Sequence, residues 1–184
     1  DNKVEKVLIE ELSKSKKNFS FITEESGKIL KENKESFWII DPIDGTSNFL
    51  HGIPHFAISV ALQINNEILI GLIFDPIKNE MFYAEKNSGS FINNNRVRVS
   101  SKNNLEECLF ATNNTGVKSI HPKLNLRSTG CAALDLAYVG CGRLDGYFHN
   151  NINLWDIAAG KIIVEEAGGK VNNIDNFSIN KIDI

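Results

Sequence analysis

The pattern of apolar and polar positions predicts a helix at the start of the chain. Over residues 1–17, apolar side chains recur at helical spacing between lysines and glutamates, at Val4, Val7, Leu8 and Leu12. This period is typical of an amphipathic helix that turns one face toward a core. The polar residues from Ser13 to Asn18 predict the end of the helix.

Strands are predicted next. The apolar run Phe37–Ile40 is followed by Asp41 and Pro42, and the proline predicts that the strand ends at Asp41. An antiparallel meander is predicted from three further runs, at Phe56–Gln63, Glu67–Phe74 and Glu80–Ala84, with turn residues between them. The rest of the chain predicts two strands, at Cys108–Thr112 and Arg143–Phe148. It also predicts two helices, at Cys131–Val139 and Trp155–Ala167.

Length and composition indicate one globular domain. The chain has 184 residues, of which 42% are hydrophobic and 23% are charged, and its formal net charge is −3. That charge offers no general attraction for nucleic acid, so a bound phosphate has to be met by a metal ion or a helix N-terminus. Three cysteines without a Cys-x-x-Cys pair favour a reducing cytoplasm. No apolar run predicts a membrane span or a secretion signal.

The densest chemical signal is the string Asp41-Pro42-Ile43-Asp44-Gly45-Thr46. Two carboxylates three residues apart across a tight turn can face one point, and carboxylate oxygens are ligands that Mg²⁺ prefers. Gly45 permits close backbone approach, and Thr46 offers a hydroxyl and an N–H to a phosphate. Asp-Pro and Asp-Gly are also common turn dipeptides. The whole string, however, is expected by chance only on the order of 10⁻⁸ per window.

Two further acidic positions extend this signal. Glu24 and Glu25 follow a segment that can form a short strand, and Asp156 opens the last predicted helix. Taken alone, the glutamates predict a solvated acidic turn, and Asp156 predicts a carboxylate that stabilises a helix N-terminus.

Together these segments resemble the inositol monophosphatase family, part of a lithium-sensitive, magnesium-dependent phosphatase superfamily. The resemblance spans nearly the whole chain, and the sequence of residues 48–59 is most similar to that of bacterial members. It implies an α/β fold, the layered αβαβα sandwich of the sugar-phosphatase type, as a single domain over residues 1–184. The family's N-terminal helical segment and last strand are missing from this sequence. Because the chain also begins with Asp1, we interpret it as a core fragment.

The resemblance also implies a set of metal ligands. Glu24, Asp41 and the carbonyl of Ile43 are expected to hold one Mg²⁺, and Asp41, Asp44 and Asp156 a second. Glu24 is also expected to touch a third, weaker ion.

Other residues are implied for catalysis and for phosphate binding. Thr46 is expected to orient the attacking water, and the N–H groups of Gly45 and Thr46 to bind the phosphate. Asp1 matches an acidic residue that pairs with this threonine, although an aspartate that caps the first helix is an alternative. The implied reaction is an in-line displacement at phosphorus by metal-activated water.

The substrate pocket is where the sequence departs from the family. Gly130, Cys131 and Ala132 match its wall, but His149 stands where inositol-processing members usually carry a glutamate that accepts bonds from ring hydroxyls. The chain is also shorter after His121-Pro122 than family members generally are.

These observations lead to a functional hypothesis with alternatives. We expect Mg²⁺-dependent hydrolysis of a small polyol phosphate, inositol 1-phosphate first, with Li⁺ inhibition, in a cytoplasmic homodimer. Histidinol phosphate, fructose 1,6-bisphosphate or a nucleotide 3′-phosphate are alternative substrates. A binding protein that acts through partners, as bacterial relatives in the RNA synthesis machinery do, is the alternative of another class.

Overall fold

The computed structural model describes residues 1–113 and 124–172. The helices are α1 (Asn2–Ser15), α2 (Thr46–Leu50), α3 (Ala132–Gly140) and α4 (Leu154–Glu166), with a 3₁₀ turn at Leu105–Glu107. The strands are β1 (Phe19–Thr23), β2 (Gly27–Ile29), β3 (Asn33–Asp44), β4 (Ala57–Ile64), β5 (Glu67–Asp75), β6 (Glu80–Glu85), β7 (Gly89–Ile92), β8 (Asn95–Val97), β9 (Leu109–Thr112), β10 (Asn125–Arg127) and β11 (Gly146–Phe148).

Within the described residues, the larger sheet has eight strands in the order β2-β1-β3-β4-β5-β6-β7-β8. All neighbours are antiparallel except β1 and β3, which are parallel. The predicted meander is confirmed as β4, β5 and β6. Its first turn is made by Asn65 and Asn66, whose φ angles of 51° and 64° are left-handed conformations that asparagine adopts more readily than most residues.

The predicted end of β3 at Asp41 is wrong, because the strand continues to Asp44. Asp41 pairs with Ser59, but Asp44 pairs with Ala57, so two residues of β3 lie opposite one residue of β4. This β-bulge leaves Pro42, which has no N–H to donate, out of the regular ladder. The bulge therefore brings both aspartates of the motif onto the end of one strand.

In the part of the chain that the structure describes, the smaller sheet consists of three parallel strands in the order β10-β9-β11. α3 and α4 lie between the two sheets, and α4 packs on β3 to β7 of the larger one. Because α4 is covered on so many sides, it is apolar nearly all round, with buried residues from Ile157 to Val164. The predicted layered α/β sandwich is confirmed in this arrangement.

α1 packs against β1 and β3. Its predicted apolar face is only partly buried, since Val7 is 53% exposed and Val4 and Leu8 are half-buried. The fully buried side chain of this helix is Glu5. His121-Pro122 lies outside the described residues. No described helix combines the length and apolarity that a bilayer crossing requires.

Candidate metal centre

Three carboxylates of the predicted set meet at the end of β3. Asp41, Asp44 and Asp156 each offer an oxygen, and these atoms lie within 4.8 Å of one another. The start of α4 is held at this point by Ser59, the partner of Asp41 in the ladder, whose hydroxyl donates to the carbonyl of Trp155 at 3.3 Å. The ladder and this bond together account for the approach of Asp156 to Asp41.

Each aspartate is held by hydrogen bonds. The buried Asp41 accepts the N–H of Ile43 at 3.0 Å. Asp44 accepts the N–H of Ala133 at the start of α3 and the thiol of Cys131, whose sulfur lies 3.2 Å from Oδ2. Because burial raises the pKa of Cys131, that sulfur keeps its proton and donates.

Asp156 belongs to the first turn of α4, where it completes a capping box with Asn153. Its Oδ2 accepts the N–H of Asn153 at 2.9 Å, and its own backbone N–H is met by the Asn153 side chain. Both the helix start and the direction of the Asp156 carboxylate are therefore defined by one set of bonds.

Glu24 lies beside this cluster in the turn after β1, and its side chain is more exposed than the three aspartates. Its N–H donates to the carbonyl of Ile40 at 3.2 Å, which places it next to Asp41. Burial raises the pKa values of both carboxyl groups, which also interact with each other. Glu24 thus adjoins the three-carboxylate group without being one of its members.

The electrostatics of the site are unfavourable without cations. Burial, reinforced by the charges of its acidic neighbours, raises the pKa of Asp41 to about 10. Burial also raises the pKa of Asp44 to about 7, and raises the pKa values of Glu24 and Asp156. Carboxyl groups this close must bind protons or cations. Since every potential ligand atom of this group is a carboxylate oxygen, the group fits a hard divalent cation such as Mg²⁺.

The residues that follow Asp44 place a hydroxyl and a tight turn at the site. Thr46 donates its hydroxyl to the carbonyl of Ile43 at 2.9 Å. Gly45 has a φ of 88°, and a Cβ there would lie 3.1 Å from the His55 carbonyl and 3.3 Å from that of Gly130. The structure places Asp1 at the N-cap of α1 without a side-chain capping bond.

A cavity of about 130 Å³ opens beside the aspartates. The predicted substrate residues Gly130, Cys131, Ala132 and His149 all line it, together with Asp44 and Asp156. Asn48 holds its wall in place, because its side-chain amide donates to the carbonyls of His55 at 2.8 Å and Thr129 at 2.9 Å. The structure therefore brings the predicted wall to the predicted metal ligands.

Sequence reasoning missed two titratable residues of this cavity, Asp135 and Tyr147. Asp135 is buried, accepts the hydroxyl of Thr129 at 2.8 Å, and has its pKa raised to about 7 by burial. The Tyr147 hydroxyl and Nδ1 of His149 are buried atoms without a hydrogen-bond partner in the described part of the chain. The two side chains lie close together: Tyr147 belongs to β11, His149 follows the end of that strand, and their ring centroids are 5.9 Å apart.

Comparisons with known proteins identify relatives of this chain. Residues 1–178 match the model of a family described as "Inositol monophosphatase family". An inositol-1-monophosphatase of Caulobacter vibrioides is 39% identical over 95% of this chain and 74% of its own length. The Nus factor SuhB of Haemophilus influenzae is 41% identical over 95% of this chain and 70% of its own length. The crystal structure of the extragenic suppressor protein suhB from Bartonella henselae superimposes with a TM-score of 0.90 at 44% identity, covering 94% and 71% of the two chains.

Proposed function

Because the chain belongs to the inositol monophosphatase family, we propose that it is a Mg²⁺-dependent phosphatase for the monoester of a small polyol, with inositol 1-phosphate as first candidate. The observation that carries this proposal is the convergence of Asp41, Asp44 and Asp156 beside the cavity. Together with the adjoining Glu24, these mutually repelling carboxyl groups are a cost that a purely structural role does not require.

Asp41, Asp44, Asp156 and Glu24, with the Ile43 carbonyl, are the groups we propose to hold two to three Mg²⁺ ions. The chemistry that Mg²⁺ supplies when bound is Lewis acidity toward phosphate oxygens and water. Li⁺ inhibition is expected with it.

Thr46 is proposed to orient the attacking water. Its hydroxyl proton is engaged by the Ile43 carbonyl, so its oxygen is left as an acceptor for a proton of that water. We propose that Asp1 supports Thr46 from the start of α1, and that the N–H groups of Gly45 and Thr46 face the phosphate.

The cavity supports a hydroxylated substrate but does not single out inositol. His149 offers one neutral ring in place of a carboxylate, and burial lowers its pKa, which favours the uncharged form. Asp135 and the Tyr147 hydroxyl add polar groups to the same space. Histidinol phosphate, fructose 1,6-bisphosphate and a nucleotide 3′-phosphate therefore remain alternative substrates.

A second candidate function comes from the names of relatives. Several are called Nus factor SuhB, among them one of Escherichia coli that is 38% identical. A role through partners in RNA synthesis is accordingly proposed as an alternative or an addition to hydrolysis. A cytoplasmic homodimer is proposed for either function.

A panel of phosphate monoesters assayed with Mg²⁺ tests the proposal. We expect hydrolysis by the parent, its inhibition by Li⁺, and its loss in Asp41→Asn, because a neutral amide replaces the most buried carboxylate of the site. Glu32→Gln, which changes an exposed acid elsewhere, is the control and should leave turnover unchanged.

The results separate the candidate functions. Turnover of Asp41→Asn close to that of the parent at saturating Mg²⁺ would refute the metal assignment. A parent that binds Mg²⁺ and hydrolyses none of the esters would favour the binding role.

A further inference from the structure

α1 buries a carboxylate where an apolar residue would be expected. Glu5 is 2% exposed, whereas the neighbouring Val4 and Leu8 are only half-buried. Taking a carboxylate out of water is costly unless hydrogen-bond donors replace the water. The partners of Glu5 therefore show what this burial achieves.

Both oxygens of Glu5 bind the turn that joins β1 to β2. Oε2 accepts the N–H of Glu25 at 3.1 Å, and Oε1 accepts the hydroxyl of Ser26. The rest of the turn is held by Thr23, whose hydroxyl oxygen accepts the N–H of Ser26 at 3.2 Å. Glu5 thus reaches from α1 to the backbone and side chain of two consecutive turn residues.

Glu24 is the residue immediately before these two. Its own N–H is bonded to the Ile40 carbonyl of β3 at 3.2 Å, and the next N–H, that of Glu25, is bonded to Glu5. The backbone on both sides of the Glu24 side chain is therefore fixed, by the sheet on one side and by Glu5 on the other.

We propose that Glu5 is a positioning residue for the metal centre, which holds the Glu24 turn so that its carboxylate faces Asp41. This inference rests on the proposed function. Glu5 acts only through Glu24 and has no contact with substrate. Through this residue, α1 belongs to the support of the site as well as to the outer layer of the fold.

The test combines metal binding with a double-mutant cycle. Mg²⁺ affinity is measured by calorimetry, at a temperature where every variant is folded, for the parent, Glu5→Ala, Glu24→Gln and the double variant. Loss of a residue that orients a metal ligand costs about 10- to 100-fold in affinity. Introducing Glu5→Ala into the parent should cause a loss in this range. Introducing Glu5→Ala into the Glu24→Gln variant should cause little further loss, because the ligand that Glu5 positions is already gone.

Two controls exclude a purely structural role. Glu11→Ala removes an exposed acid from the same helix and should leave the affinity unchanged. Amide hydrogen exchange of residues 24–26 without metal should be faster in Glu5→Ala than in Glu11→Ala. If Glu5→Ala does not fold, Glu5→Gln replaces it, since the amide keeps the shape and one acceptor but loses the charge and the second acceptor.

The outcomes are distinguishable. Equal losses in both backgrounds, or a lowered melting temperature with unchanged Mg²⁺ affinity, would overturn the positioning role and leave the proposed function intact. Unchanged exchange of the turn would also overturn it. A parent that binds no Mg²⁺ would overturn the proposed function and this inference with it.

Discussion

Asp41 is the residue on which the unfavourable charge of the site concentrates. It is 1% exposed and faces three other carboxyl groups. Its Oδ1 is committed to the N–H of Ile43, so the side chain cannot turn away to relieve the repulsion. Without cations the folded protein therefore retains a proton at this position that the unfolded chain releases.

The first prediction concerns stability without metal. The pKa of Asp41 is about 10 in the folded state against 3.8 ordinarily, so the folded state binds the additional proton between these values. Stability should consequently fall as the pH rises through this window. Asp41→Asn should melt higher than the parent at pH 8 in EDTA, and its melting temperature should depend less on pH. Melting temperatures of the parent and of Asp41→Asn that are equal to each other at every pH from 5 to 9 would contradict this electrostatic account.

The second prediction concerns substrate choice at His149. His149→Glu should raise kcat/KM for inositol 1-phosphate relative to other esters by roughly tenfold, the effect of about one recovered charge-assisted hydrogen bond. The measurement is the ranking of kcat/KM across the ester panel. His51→Glu, on an exposed histidine, is the control. An unchanged ranking would remove His149 from the substrate contacts.

At the scale of elements, the spacing between α4 and the larger sheet depends on Gly71 of β5. A Cβ at this position would lie 2.5 Å from the Ala159 carbonyl and 2.9 Å from its Cα. Both atoms are backbone, which cannot move aside without moving the helix. The helix carries Asp156 at its start, so its distance from the sheet also sets the distance from Asp156 to Asp41.

The third prediction follows from this contact. Gly71→Ala should displace α4, with an overpacking cost of about 1–3 kcal/mol. At about 2–4 °C per kcal/mol for a chain of this size, the melting temperature should fall visibly. Mg²⁺ affinity should fall with it, although Gly71 is no ligand. Ile70→Ala, which alters an exposed side chain of the same strand, is the control for both measurements. An unchanged affinity would show that the helix position is set elsewhere.

The sequence predicted the elements whose pattern is long enough to carry a period. The strands of the meander, α3 and α4 were found because their apolar runs extend over six to thirteen residues. The strands β2, β7, β8 and β10 were missed, since three or four residues hold no recognisable period. β9 and β11 are equally short, but they lie within the longer predicted runs Cys108–Thr112 and Arg143–Phe148. Such short strands are defined by the partner that they pair with.

The same distinction applies to the candidate site. Asp41 and Asp44 are neighbours in the chain, so their convergence follows from local geometry. Glu24 and Asp156 were proposed only through the resemblance, because no local rule links them to the motif. Asp135 and Glu5 were not found at all, since their importance depends on which distant segment each side chain meets.

At the scale of the whole molecule, the carboxylate cluster connects the early strands to α4. An unfolded chain does not hold these carboxylates together, so an ion that binds only the folded state must stabilise it. The size of this effect depends on the ion concentration relative to the dissociation constant.

The fourth prediction is a melting temperature that rises with Mg²⁺ concentration. At one hundred times the dissociation constant the gain is about 2.7 kcal/mol, which corresponds to roughly 5–11 °C. Scanning calorimetry in buffers matched in ionic strength with NaCl measures it. Asp41→Asn should lose the shift. A shift of equal size in that variant would assign the stabilisation to ions bound elsewhere.

The capping box of α4 has a consequence for the entropy of ion binding. A flexible carboxylate loses rotational freedom when an ion captures it, at a cost of about 0.5–1.5 kcal/mol per side chain. In Asp156 that freedom is already lost during folding, because Oδ2 is held by the N–H of Asn153 before any ion arrives. The start of the helix thus presents a rigid ligand, and the ordering penalty of this side chain falls on the folding of the protein and not on the encounter with the ion.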